Sequence, residues 1–443
     1  MSYREQYLKK LTTIEGVYDS IKDRDYIFCG SASCEPLTFF NYFHTLHGKR
    51  HGITMHFNQL TSNAPMFNEK YRDLYTIESA FFSKNYRRLN EEGMASLMPA
   101  HLHTTGRDSI FRLKRTGQPM NIAIFTVSPM DKHGYFSTGS TAGYYREFIE
   151  YADRVIVEVN EACPRTFGDT HLHISEVDMI YESEDHKIVY LPRVQPSETD
   201  RQIGRAIAEI VNDGDTLQLG IGGIPSACVS ELKHKKDLGI HTEMLNDGFV
   251  ELINAGAVTN RKKNYFPNVI VTSFTQGCKE TYDYIDNNPG VLHLSSTFTN
   301  SPWVVKRNEN FVAINAGLMV DLMGQTASEA IGQLQISGIG GQGDMTVGGK
   351  ESPGGRSVIA LHATRELKRP DGTKERISTI VPTLPTGTPV TLSRNDIDFV
   401  CTEYGMAALR GASLKERALS LINIAHPDFR DMLREEAKRW YLI

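Results

Sequence analysis

The apolar positions of this chain fall in short, dense runs. Residues 26–29, 121–127, 154–159, 269–272, 311–315 and 357–361 are each dominated by apolar residues, and 216–219 is a further strand candidate in which polar and apolar residues alternate. An uninterrupted run of that length is what a strand buried on both faces looks like. Between the runs lie segments with helical spacing at 2–10, 200–212, 226–235 and 428–440. A further strand is expected at 238–242 and a helix at 249–255. Strands alternating with helices predict βαβ units, and so an α/β fold with largely parallel sheets.

One break stands out. The segment Leu191-Pro-Arg-Val-Gln-Pro-Ser-Glu-Thr-Asp200 carries two prolines and then a helix-start signal, so it reads as a linker. It divides the chain into candidate domains 1–192 and 193–443. Each half contains a strand that runs into a loop of small residues and then a helix. The strings are Ile27-Phe-Cys-Gly-Ser-Ala-Ser-Cys-Glu-Pro36 and Leu217-Gln-Leu-Gly-Ile-Gly-Gly-Ile-Pro225. The likeness hints at a pseudo-repeat. The length of 443 residues suits two or three domains.

Charge narrows the function classes. Lys and Arg number 48 against 53 Asp and Glu, for a net charge of −5. That balance argues against nucleic acid or an anionic membrane surface as partner. The charged N-terminal stretch lacks the apolar centre of a secretion signal, and no run approaches the length of a membrane span. The six cysteines form no close CxxC pair, which fits reduced thiols and a cytoplasmic enzyme.

Several places could carry chemistry. In Gly220-Ile-Gly-Gly-Ile-Pro225, a turn between strand and helix, backbone amides can approach a phosphate or an oxyanion because glycine has no Cβ. Pro225 stands where a dinucleotide fingerprint needs its third glycine, and no Gly-Lys-Ser/Thr follows. The loop reads equally as a ligand cradle or a plain tight turn. Glu243 closes the strand expected at 238–242, and strand ends are where α/β sheets place their chemistry. A carboxylate there can act as nucleophile or base, although a solvated surface glutamate is the plainer reading. The same two readings apply to Glu403, after the apolar run 399–402. Ser337-Gly-Ile-Gly-Gly-Gln-Gly-Asp344 is the densest glycine cluster, suited either to an oxyanion hole or to a flexible loop. His101-Leu-His103 and His171-Leu-His173 each set two imidazoles on one strand face, but nothing at ligand spacing completes either, so no metal is expected. Gly139-Ser-Thr-Ala-Gly143 has threonine where a nucleophile elbow needs serine. Cys228 reads as core at a helix start.

Taken in order, these strings resemble the acetyl-CoA hydrolase/CoA-transferase family, in particular the butyryl-CoA:acetate and 4-hydroxybutyrate CoA-transferases. The resemblance rests on Leu219-Gly-Ile-Gly-Gly-Ile-Pro225, Leu238-Gly-Ile-His-Thr-Glu-Met244, Ser337-Gly-Ile-Gly-Gly-Gln342, Gly354-Gly-Arg-Ser357, Val400-Cys-Thr-Glu-Tyr-Gly405 and Ile424-Ala-His-Pro-Asp-Phe-Arg430. Arg154-Val-Ile-Val-Glu-Val-Asn160 and Ser128-Pro-Met-Asp-Lys-His-Gly134 extend it into the first half. It implies two open, mostly parallel-sheet α/β domains of similar architecture with the active site between them. It further implies a homodimer or a higher homo-oligomer.

By the same resemblance Glu243 is the covalent nucleophile, Asn300 a substrate-side residue and Glu403 an auxiliary carboxylate. Backbone amides of Ile221 and Gly341 would hold the oxyanion. Gly220, Ile221, Gly222, Gly223, Ile224, Leu318, Gly340 and Ala363 would line the coenzyme A channel. The implied activity is transfer of coenzyme A from butyryl-CoA or a similar acyl-CoA to acetate or another small carboxylate. The alternatives are 4-hydroxybutyrate transfer and hydrolysis by the same glutamate. Coenzyme A would be a co-substrate, with no permanently bound cofactor. Two strings depart from the family pattern: Gln342-Gly-Asp-Met345 in place of Gln-x-Asp-Phe, and Ala360-Leu-His-Ala363 in place of Ala-Leu-Pro-Ser. Both are expected beside the acyl or pantetheine pocket.

Overall fold

Seven parallel strands form the main sheet of the first of two units, in a computed structural model that describes residues 1–368 and 372–443. This unit comprises residues 1–192, 243–247 and 271–300, and the second comprises 193–242, 248–270 and 301–443. The sheet runs Met179–Glu182, Ala152–Val159, Met120–Val127, Tyr26–Cys29, Ile53–His56, Tyr75–Ser79, Ala95–Leu97. Successive side chains on Tyr26–Cys29 serve two different cores. Ile27 and Cys29 join one apolar cluster with Phe39, Phe40 and Met55, while Tyr26 and Phe28 join another with Phe125 and Phe148. Burial on both faces explains why the strand shows no polar alternation.

The order of the strands places a switch point. The chain moves from Tyr26–Cys29 outward to Ala95–Leu97, then returns to lay Met120–Val127 on the other side of the first strand. Neighbouring loops diverge there, and a crevice opens at the carboxyl ends. The second unit repeats the arrangement. Its strands hydrogen-bond in the order Gly405–Ala408, Phe399–Thr402, Arg356–Ala360, Phe311–Ala316, Thr216–Leu219, Gly239–Leu245. Only the hairpin Phe399–Thr402 with Gly405–Ala408 is antiparallel among these pairs. The switch falls between Thr216–Leu219 and Phe311–Ala316. The fold is thus α/β with mostly parallel sheets, as the alternating pattern predicts.

Strands expected at 26–29 and 216–219 have those bounds, and the others shift by up to three residues at an end. Tyr75–Ser79 escapes sequence reading because Thr76 faces solvent and interrupts its apolar pattern. The five helices expected from the sequence run Tyr3–Lys10, Glu198–Ala208, Gly223–Leu232, Asp247–Asn254 and Pro427–Arg439. Glu198–Ala208 starts on a capping box in which the Ser197 side chain accepts from the Asp200 amide. One expectation needs correction: the strand predicted at 238–242 runs on to Leu245. Met244 and Leu245 are buried, and their burial carries the strand past Glu243, which lies inside it. Among the described residues no helix is long and apolar enough to cross a membrane.

Candidate active site

In the first unit, Glu243 is half-buried on the extended strand. Its Oε2 accepts a hydrogen bond from Asn300 Nδ2 at 2.9 Å, and its backbone carbonyl accepts from Thr272 Oγ1 at 3.2 Å. Asn300 is fully buried at the C-cap of the short helix Ser296–Thr299, where its N–H bonds back to the Ser296 carbonyl. A backbone bond therefore fixes the residue whose side chain orients the carboxylate. The amide donor fixes the direction of the Oε2 oxygen.

Close by in the same unit lies a narrow cleft. Ser31 and Ala32 line it from the loop that follows the first strand, at the switch point. Ser273 and Phe274 line it from Ile270–Thr275, and Ser296 from the helix that Asn300 caps. The Ser31 N–H donates to the Tyr145 hydroxyl at 2.7 Å. The turn at Ala142 and Gly143 is held by amide bonds to the Ser273 carbonyl. Ala32 has φ 56°, a left-handed conformation that costs a non-glycine residue energy and often marks a functional loop. Gly30 needs its missing Cβ, since an added one would meet the Cys34 carbonyl and the Phe125 side chain.

In the second unit, the glycine loop turns out of Thr216–Leu219 at the corresponding switch point. Gly222 has φ 115° and ψ −171° and caps the helix Gly223–Leu232, a backbone state essentially closed to other residues. Ile221, Gly222, Gly223, Ile224 and Leu318 line one cavity with an empty volume of about 670 Å³. Ile221 is 53% exposed, so its apolar side chain stands at the mouth rather than in the core. Free amides at a helix start give such a loop the capacity to take an anion. Gly220 precedes the cavity-lining residues.

His362 lines the same cavity, with Nε2 2.8 Å from Asp200 Oδ1. Burial pushes the Asp200 carboxyl up, but bonds from Ser197 and His362 outweigh it and hold the group below its ordinary value. Gly223 leaves the room this carboxylate needs, because an added Cβ would collide with Asp200. The histidine in the departing string Ala360-Leu-His-Ala363 therefore has a defined partner at the cavity wall. Ala363 itself is fully buried, and its N–H donates to Glu403 Oε2 at 2.9 Å. Glu403 follows Phe399–Thr402 and thus braces the chain beside the cavity.

The second glycine cluster opens the helix Gln342–Glu351. Gly340 has φ 55°, whereas Gly341, its N-cap, has φ −97°. The residue that needs glycine for its backbone is thus Gly340. Gln342 Nε2 donates to the Ala316 carbonyl at 3.1 Å and ties this helix start to the wall of the cavity. Met345 is fully buried among Val305, Phe311 and Ala313, so this departure is a core substitution and does not line the pocket as expected.

Three other expectations can be placed. His103 lies in the 3-10 turn Leu102–Thr104 and His101 just before it, so this pair sits on a turn and not on a strand. His171 and His173 do share a strand, and His173 packs on Tyr135. Cys228 is fully buried, and burial pushes its thiol well above the ordinary range. Sequence reasoning missed the first-unit cleft. The small-residue string after Ile27 and the Gly139-Ser-Thr-Ala-Gly143 turn were its only signals.

Comparison with known proteins supplies the context. Residues 1–192 match the acetyl-CoA hydrolase/transferase N-terminal domain, and residues 277–437 match the C-terminal domain of the same family. The chain is 38% identical over 439 residues to the 4-hydroxybutyrate coenzyme A transferase of Clostridium kluyveri, covering 99% of this chain and 100% of that protein. It is 36% identical over 454 residues to the butyryl-CoA:acetate CoA-transferase of Anaerostipes caccae, covering 99% and 98%. Among solved structures, RipA from Yersinia pestis superposes with a TM-score of 0.90 at 34% identity, covering 100% of both chains.

Proposed function

The chain belongs to the acetyl-CoA hydrolase/transferase family, and from that premise we propose that it transfers coenzyme A from butyryl-CoA or a similar short-chain acyl-CoA to acetate or another small carboxylate. The observation that carries the reading is the Glu243 carboxylate, held by the buried Asn300 amide at 2.9 Å. A carboxylate in water is a poor nucleophile because its hydration must be stripped, and fixed dipoles in a dry site replace that hydration.

In this scheme a Glu243 oxygen attacks the thioester carbonyl. The C–S bond breaks, leaving an acyl-glutamyl anhydride and coenzyme A thiolate. The thiolate then attacks the glutamyl carbonyl, releasing the free carboxylate and leaving a glutamyl-CoA thioester. An incoming carboxylate reverses both steps. Each tetrahedral intermediate carries an oxyanion, for which we assign the Ile221 and Gly341 amides as donors. One such donor contributes about 3–4 kcal/mol. Asn300 orients the nucleophile, and Glu403 acts as an auxiliary carboxylate. Coenzyme A is assigned to the loop of Gly220, Ile221, Gly222, Gly223 and Ile224, with Leu318, Gly340 and Ala363 beside it.

The test is intact-mass spectrometry after incubation with butyryl-CoA. Wild-type protein should gain a coenzyme A thioester on Glu243, reducible by borohydride to an alcohol, and Glu243→Ala should gain none while keeping its fold. Adduct on another residue defeats the assignment of the nucleophile. Thioester consumption that proceeds equally fast without acetate defeats the transferase reading in favour of hydrolysis.

A further inference from the structure

Residues 57–64, which follow the strand Ile53–His56, adopt neither helix nor strand. Their backbone groups must therefore find partners elsewhere. Several find them on one loop, the small-residue turn after Tyr26–Cys29. Ser31 Oγ accepts from the Asn58 amide at 2.9 Å, and the Ala32 amide donates to the Gln59 carbonyl at 3.1 Å. Three more bonds converge on a single carboxylate. Glu35 Oε1 accepts from the Thr61 amide at 2.6 Å and the Thr61 hydroxyl at 2.5 Å, and Oε2 accepts from the Ser62 amide at 3.0 Å. Glu35 is itself anchored, since its carbonyl accepts from Thr126 Oγ1 at 2.9 Å. Asn58 and Gln59 line the first-unit cleft, so this carboxylate holds one wall of the cleft in place.

Glu35 is 2% exposed, and no cation among the described residues pairs with it. The titratable groups that bear on it are the Cys29 thiol and the Tyr86 and Tyr145 phenols, each pushed up by its own burial and so neutral. Glu158, opposite Thr126 on the next strand, is a second buried carboxyl. Burial without a counter-ion favours the neutral acid. The bonds from Thr61 and Ser62 favour the anion, but burial prevails and raises the Glu35 carboxyl from 4.5 to about 7.

We propose that Glu35 is a positioning residue, a latch that keeps residues 57–62 closed against the cleft while it carries its proton and lets them open as it ionises. The inference rests on the transferase reading above in one respect, that the cleft receives the acyl group beside Glu243. Ser273 of the cleft follows Thr272, whose hydroxyl bonds the Glu243 carbonyl, and Ser296 lies on the helix that Asn300 caps. Opening the segment hydrates the carboxylate and returns it to its ordinary value, so the closed form binds the proton more tightly. The ratio of open to closed is thus constant below about pH 4.5. It rises by up to about tenfold per pH unit towards pH 7 and is constant again above.

The test is hydrogen exchange of the peptide spanning residues 57–64, corrected for the intrinsic pH dependence of amide exchange. In the wild type the opening constant should rise at least about tenfold between pH 5 and pH 7. In Glu35→Gln, which is neutral at every pH, it should stay flat. Thr61→Val removes one bond to the ionised form and should carry the rise about one pH unit higher. The KM for butyryl-CoA should rise over the same window in the wild type relative to Glu35→Gln. A flat wild-type profile, or an equal rise in Glu35→Gln, overturns the latch; if Glu35→Gln fails to fold, an unshifted profile in Thr61→Val does so. The expected exchange with an unchanged KM ratio overturns the positioning role. Absence of the glutamyl-CoA adduct defeats the transferase reading instead, and leaves the exchange result standing.

Discussion

Asn300→Ala removes the amide that bonds Glu243, the nucleophile proposed above. The amide lies 2.9 Å from Glu243 Oε2; Asn300 is fully buried and Glu243 half-buried. A hydrogen bond to a charged group contributes about 1.5–3 kcal/mol. At about 1.4 kcal/mol per factor of ten, its loss should lower kcat/KM roughly tenfold to a hundredfold. The backbone bond from residue 300 to the Ser296 carbonyl does not involve the side chain, so the helix cap should survive. Asn300→Asp is the sharper form. It sets a second carboxylate against the first, and two unit charges about 4 Å apart near a protein surface repel by about 4 kcal/mol, enough for a loss of about a thousandfold. The assay is the single-turnover rate of glutamyl-CoA formation, followed by intact mass, with thermal unfolding as the control. A residue that serves only the fold would lower the melting temperature and the active fraction, but leave the rate per active site alone. A folded Asn300→Ala protein that forms the adduct within twofold of the wild-type rate refutes the reasoning.

Steady-state kinetics with acyl-CoA and acetate should give parallel double-reciprocal lines, as one nucleophile serves both half-reactions; intersecting lines would mean a ternary complex. Gly222→Ala meets no atom within 4 Å, so its cost is backbone strain of about 1–3 kcal/mol, measurable as a lower unfolding midpoint and weaker coenzyme A binding by calorimetry. Gly340→Ala should be more damaging to stability than Gly341→Ala, because only Gly340 has a positive φ; equal melting temperatures would contradict this. Glu158 is fully buried, and desolvation raises its carboxyl to about 7 despite bonds from Tyr181 and Thr38. A raised folded-state value favours the neutral acid, so this group stabilises the fold below about pH 4.5, and the contribution is lost as pH rises towards 7. Denaturant titrations across that window should show the wild type losing stability relative to Glu158→Gln.

The alternation of apolar runs and helical segments was enough to read the α/β class, because strands buried on both faces carry an unbroken apolar signature. It was not enough for Tyr75–Ser79, whose exposed Thr76 breaks that signature, nor for the end of Gly239–Leu245, which burial of Leu245 rather than local propensity decides. At the site, glycine loops were legible as loops since glycine is the residue that positive φ demands. Which glycine bears the strain was not legible: Gly340 and Gly341 are identical in sequence and differ only in backbone angle. Met345 shows the opposite limit. It adjoins a functional string in sequence, yet its side chain belongs to the core. The Asp200–His362 pair spans 162 positions, and the first-unit cleft draws on segments from Ser31 to Ser296. No local pattern encodes contacts at those separations.

The discontinuous make-up of the first unit has a consequence for how the protein is made. Its first 192 residues are complete as a stretch of chain, but the unit also needs residues 243–247 and 271–300, which bring the strand Ile270–Thr275 and the helix ending at Asn300. A nascent chain released at the linker would hold the seven-stranded sheet with its switch-point crevice still unfinished. At about 5–20 residues per second, the ribosome adds the missing hundred or so residues in roughly 5–20 s. During that interval the loops around Ser31 and Thr141 face solvent without Ser273 and Ser296. Until residue 300 is added, the first unit therefore exists only in part.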